Sequence, residues 1–223
     1  MNSSLTSEHL LAIFESYNLD IWPMQAVAYL LGIVVLFFAV KRTQGSSRIV
    51  SAILSFLWLW TGLVFCMFYF GPIFTPGYAM GVLMIIQGVV FLAGALRPRL
   101  SFRFESGLYS IIGVLFIAYA MLGYPVVGHF VGHDYPRMLP FGLVPCPTTV
   151  FTFGLFLLTE SKVPKHLLII PLVLTLAAVA PVSRGVLEDI GLIVTGVVAS
   201  AMILFRDSKK QIVAAQTGSI SNP

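Results

Sequence analysis

The stretch Pro136-Arg-Met-Leu-Pro-Phe-Gly-Leu-Val-Pro-Cys-Pro-Thr-Thr-Val-Phe-Thr152 decides how this chain is read. Four prolines, one of only two cysteines and three threonines open a strongly apolar segment. A proline inside a helix removes a backbone N–H, frees a carbonyl one turn earlier and pushes the preceding residue out of α geometry. The stretch therefore predicts a helix broken or kinked near Cys146. What a broken helix means depends on the solvent around it, and composition supplies that.

Hydrophobic residues make up 58% of the 223 and charged residues 10%, against roughly 45–50% and 25% in an ordinary globular protein. So much apolar surface needs a non-aqueous solvent, and the chain reads as an integral membrane protein. Seven apolar runs approach the ~20 residues that cross ~30 Å of hydrocarbon: about 21–40, 49–71, 78–96, 107–124, 139–159, 166–183 and 188–205. Backbone in lipid must satisfy its own hydrogen bonds, so helices are the expected form. The expected fold is all-α: one transmembrane domain over 1–210, with a short tail at 211–223 that is small, polar and expected to be disordered. Residues 7–18 place Leu10, Ile13, Phe14 and Tyr17 at helical spacing. They predict a short amphipathic helix in the membrane interface. The first twenty residues lack the basic start and cleavage-like end of a secretory signal.

Charge predicts orientation. Alternate connections hold Lys41, Arg42 and Arg48; Arg97, Arg99 and Arg103; Lys162 and Lys165; and Arg206, Lys209 and Lys210, eleven of the thirteen basic residues. The opposite side has Arg137 and Arg184 together with Glu8, Glu15, Asp20, Asp134, Glu188 and Asp189. The positive-inside rule puts the N-terminus outside and the C-terminus in the cytoplasm of a cell membrane. The net charge of +4 is thus a topology signal. The bilayer is the expected partner, nucleic acid is not, and nothing bears on oligomeric state.

Candidate chemistry gathers at the side opposite the basic residues. In membranes, irregular backbone is tolerated where it is buried in protein or lines a cavity. Cys146, Thr148, Thr149 and Thr152, with Arg184 and Glu188 at the junction of the last two helices, form a candidate ligand-binding set; Arg184, Glu188 and Asp189 there are either ordinary interfacial charges or the far side of the pocket. The threonines have a plainer use, bonding the carbonyls that the prolines free. His129 and His133 stand four apart beside Asp134, a spacing that ligates metal on a helix. With Cys146 and Cys66 they make a candidate metal set. Cys66 and Cys146 lie at similar depth, roughly 7–11 Å below that surface at 1.5 Å per residue. Cys66 also shares a face with Ser51, Ser55 and Gly62, small residues that let helices approach. Gln87, near the middle of the third run, is expected to bond a neighbouring helix. No buried carboxylate ladder, Schiff-base lysine or phosphate loop is present.

Tyr17-Asn18, Trp22-Pro23-Met-Gln25 and Pro145-Cys-Pro-Thr-Thr-Val-Phe-Thr-Phe-Gly154 together resemble a bacterial family of small multi-pass membrane proteins of unknown function. The resemblance implies a prokaryotic cytoplasmic membrane and assigns no activity. Seven-helix zinc-dependent membrane hydrolases also place His and Asp ligands at one membrane face, but the last run here contains no further histidine pair. The leading functional expectation is binding or transport of a small solute or metal ion through an outward-facing pocket beside Cys146. The alternatives are a membrane enzyme, either zinc hydrolase or thiol redox protein, and a non-catalytic accessory subunit.

Overall fold

The computed structural model describes residues 6–41, 43, 45–97, 100–102 and 107–220, the last twelve as backbone only. Arg42, Arg99 and Arg103, three of the charges used for orientation, lie outside the described residues. The regular structure among the described residues is helical, with one isolated bridge between Phe102 and Thr159. Helix α1 is Ser7–Asp20 and α2 is Met24–Val40, bent from it by 85°. Then come α3 (Ser46–Phe70), α4 (Pro76–Leu96), α5 (Leu108–Phe130), α6 (Pro145–Leu157), α7 (Lys165–Val182) and α8 (Ile190–Ile220), the last entered through a 3₁₀ turn at Leu187–Asp189. The backbone of α8 is helical through Ile220, where composition led to an expectation of disorder from 211.

Among the described residues, five helices are long and apolar enough to cross a membrane, or six if α1 and α2 count as one bent span. Seven were expected. The difference lies at two places. Helix α2 has 17 residues, and α6 has only 13, or about 20 Å of helix. The run at 139–159 is not one helix kinked at Cys146. Val144 is extended (φ −128°, ψ 158°) and α6 begins at Pro145. Prolines 145 and 147 sit in the first turn, where a backbone N–H has no intrahelical partner to lose. The prolines thus start a helix instead of breaking one.

Helix α6 is the centre of the bundle: every residue in it except Cys146 is buried. Thr148, Thr149 and Thr152 each donate a hydroxyl to the carbonyl four residues back, at 2.7, 2.7 and 2.8 Å. Trp58 Nε1 donates to Thr152 Oγ1 at 2.9 Å and ties α3 to this face. Gly113 and Gly154 let α5 touch α6, since a Cβ on either would stand 2.8 Å from the other's carbonyl oxygen. The far end of α6 is closed by Arg206 of α8, which donates to the carbonyls of Phe156, Leu157 and Thr159 at 3.3, 3.4 and 2.9 Å. A cation there meets both the unpaired carbonyls and the negative end of the helix dipole.

The small-residue face of α3 packs on α4. Ser55 Oγ donates to Gly88 O at 2.8 Å, and a Cβ on Gly81 would stand 3.0 Å from Cys66 Cβ. Gln87 Nε2 reaches Leu167 O at 3.3 Å, a bond between helices as expected. Helix α1 does more than lie in an interface. Its capping box pairs Thr6 with His9, which gives His9 a structural use. Its buried face reaches the irregular segment ahead of α6. Tyr17 donates to Leu143 O at 2.7 Å, and Asn18 Nδ2 donates to Pro136 O and Met138 O at 2.7 and 2.8 Å. Gln25 of α2 in turn donates to Asn18 O at 2.8 Å, and Arg137 pairs with Glu15 at 2.8 Å. Gly142 takes φ +73°, a left-handed turn that glycine adopts without strain.

Tyr17→Phe tests this anchoring. It leaves the Leu143 carbonyl without its donor and Trp60 Nε1, now 3.1 Å from the phenol oxygen, without its acceptor. Stranding buried groups costs about 1–3 kcal/mol each, so a lower thermal unfolding midpoint in detergent is expected. An unchanged midpoint would show that the segment holds itself.

Candidate functional site

Where α6 begins, a cavity of about 350 Å³ opens between the start of α4 and the second half of α7. Leu10 and Phe14 of α1 close one side, and Phe65, Phe70, Met80 and Leu174 line much of the rest. Three polar residues reach it: Cys146, Arg184 and Asp189. The opening is flanked by exposed apolar side chains, among them Val173 of α7.

The polar wall is built from four separate parts of the chain. The first turn of α6 carries Cys146, whose Sγ donates to Asp189 Oδ2 at 3.1 Å. The π-helical turn at Tyr119–Gly123 in α5 sets Tyr119 and Tyr124 toward α8. Tyr124 donates to Asp189 Oδ1 at 3.2 Å, and Tyr119 donates to the backbone carbonyl of Glu188 at 2.8 Å. The Tyr119 ring lies so close over Gly191 that any side chain there would overlap it. Behind this wall His133 Nδ1 meets Glu188 Oε1 at 2.7 Å, while Glu188 Oε2 has no partner among the described residues. Both carboxylates are 1% exposed. They immediately precede α8, where the positive end of a helix dipole favours negative charge.

The expected site residues are thus redistributed. Cys146 and Arg184 line the cavity. Glu188 stands one residue from it, bound to His133. Thr148, Thr149 and Thr152 are fully buried within α6 and serve its backbone instead of the cavity. The candidate metal residues fall into separate pairs. His129 meets the exposed Asp134 at 2.7 Å, His133 meets Glu188, and Cys146 meets Asp189. Cys66 and Cys146 are both free thiols, and Cys66 is buried against Gly81. Among the described residues no group of three or more His, Cys, Asp or Glu is placed to hold a metal ion.

Tyr119 and Tyr124 were outside the expected set, and Asp189 was expected only at the edge of the pocket. The signal for Asp189 was present: an adjacent Glu-Asp pair at the head of an apolar run otherwise empty of acids. Nothing in the sequence marked the tyrosines, because their role depends on which way α5 faces.

The arrangement is a hydrogen-bonding end on an otherwise apolar cavity. The thiol's polar contact is the Asp189 carboxylate, while His133 is held by Glu188. A family match extends over residues 7–214. The chain belongs to a family of unknown function, DUF6064. That range takes in α1, the whole cavity and both acids of this DUF6064 protein. No curated protein and no solved structure gives a significant match.

The two thiols should differ in access. With N-ethylmaleimide on the folded protein, Cys146 is expected to label first and Cys66, at 0% exposure, only after denaturation. Equal rates by peptide mass mapping would contradict a cavity that reaches Cys146.

Proposed function

We propose that this protein binds a small, largely apolar solute with one hydrogen-bonding end, held in the cavity beside Cys146. The observation that carries the reading is a cavity of about 350 Å³ whose lining is aromatic and aliphatic except for Cys146, Arg184 and Asp189. Ligand pockets are concave and mostly apolar, with a few placed polar groups that orient the ligand. The Asp189 carboxylate has spare acceptor capacity beyond its two donors, and Arg184 supplies a donor at the rim. Solute would reach the cavity between α4 and α7, on a side whose exposed residues are themselves apolar.

On this reading the protein lies in the cytoplasmic membrane with the cavity on the outer side. Support comes from the separation of basic residues, which gather at the other ends of the helices. Metal binding draws no support from the separated His, Asp and Cys pairs.

The test is retention of a bound compound. Protein purified in mild detergent is extracted with organic solvent, and the extract is analysed by mass spectrometry. Wild type is expected to carry an apolar compound near stoichiometry. Ala178→Phe, which projects a ring into the cavity, should lose at least about nine-tenths of it, the tenfold change that 1.4 kcal/mol of lost binding produces. A folded Ala178→Phe protein with undiminished retention would refute the assignment.

A further inference from the structure

A second cavity, of about 250 Å³, lies at the opposite end of the bundle. It is enclosed by the beginning of α3, the last turns of α4, Leu100 and the start of α7. Its walls are Val90, Phe91, Leu100 and Leu167, and its polar residues are Ser51, Arg97 and His166. Among the described residues no acidic one lines it.

Three features point to an anion. Arg97 and His166 put cationic or hydrogen-bonding side chains at the rim, where both are exposed. Helix α7, 18 residues long, starts here after Pro164, with no side chain capping its first N–H groups. Uncapped first-turn N–H groups and the helix dipole favour negative charge. Independently of both, Ser51 is only 3% exposed and lines the cavity, and no other described residue bonds its hydroxyl, whose oxygen opens on the cavity. A ligand oxygen placed there would give that hydroxyl a partner.

We infer that this cavity holds the phosphate of an anionic phospholipid head group from the leaflet on the basic side. The shared chemistry is a phosphate anion, which a free ion could also supply, but the surroundings favour a lipid. The cavity walls are apolar, and on α4 they adjoin Val89, Leu92 and Leu96, which are 52, 45 and 74% exposed. An acyl chain attached to the head group can lie along that face. Lys165, beside His166, adds positive charge nearby in the chain. Clusters of this kind next to membrane helices attract anionic lipid. The site is separate from the solute cavity and stands whether or not that cavity is used.

Native mass spectrometry of the full-length protein in mixed micelles of phosphatidylglycerol and phosphatidylcholine tests it. Wild type should retain phosphatidylglycerol preferentially. Arg97→Gln should cut that retention about fivefold, the worth of one surface cation, and Ser51→Ala should cut it about twofold or more, a modest hydrogen bond. Lys162→Gln, a basic residue of the same end outside the cavity, should leave it unchanged. Millimolar inorganic phosphate should not displace the lipid. Equal retention of both lipids, or an equal loss in Lys162→Gln, would overturn the site. Displacement by inorganic phosphate would overturn the lipid assignment. Should Arg97→Gln fail to fold, retention by Ser51→Ala at the wild-type level would by itself overturn the site.

Discussion

The structure depends on how one buried, irregular piece of backbone is satisfied. Residues 136–144 run without helical hydrogen bonds into the core, where Leu139, Phe141, Leu143 and Val144 are buried. Apolar surroundings offer such carbonyls no water, and each would be expensive left alone. Tyr17 and Asn18 of α1 supply the donors, and Gln25 holds Asn18 in place. That is why the short N-terminal helix bends 85° away from α2 and folds back over the bundle. An interfacial helix would need only an apolar face. This one also needs its amide and its phenol.

Once that segment is held, the rest of the site follows from where α6 can start. Prolines 145 and 147 allow α6 to begin only at this depth, which puts Cys146 in its first turn. The same depth is reached by the head of α8, with Glu188 and Asp189 side by side. Two adjacent buried acids cannot use the same donors. Asp189 takes Cys146 and Tyr124, and Glu188 takes His133. Only the first group faces the cavity. The cavity lies between α4 and α7, which meet near Gln87 and Leu167, at the end that Leu10 and Phe14 of α1 partly cover.

Helix α6 is short because its ends are supplied by other parts of the chain. Its first turn needs few donors, and its last carbonyls are taken by Arg206. Arg206 therefore serves a helix end, although by position it counts among the basic residues that indicate orientation. It illustrates a limit of charge counting: a basic residue near a helix terminus can be buried and structural. The glycines at 113 and 154 then bring α5 against α6, which aims Tyr119 and Tyr124 at the acids.

Much of this was legible in the residues themselves. Apolar run length foretold the helices α3, α4, α5, α7 and α8, because a chain this hydrophobic has few other ways to satisfy its backbone. The spacing of Ser51, Ser55, Gly62 and Cys66 foretold a close helix contact, because small side chains at that period admit a neighbour. The cluster of prolines around Cys146 marked the unusual backbone, but a proline effect is local and is the same at a helix start as at a kink. Which of the two applied was settled by partners over a hundred residues away, Tyr17 and Asn18. In the same way Thr148, Thr149 and Thr152 look equally fit for a pocket or for their own helix. Packing against Trp58 and the rest of the core turned them inward. Asp189 was visible as an acid at the head of an apolar run, whereas its contacts with Cys146 and Tyr124 are distances across three helices. Periodicity and composition are properties of neighbouring residues, and they determined the class of fold. A cavity is made by surfaces far apart in the chain, so its position and lining came only with the folded arrangement.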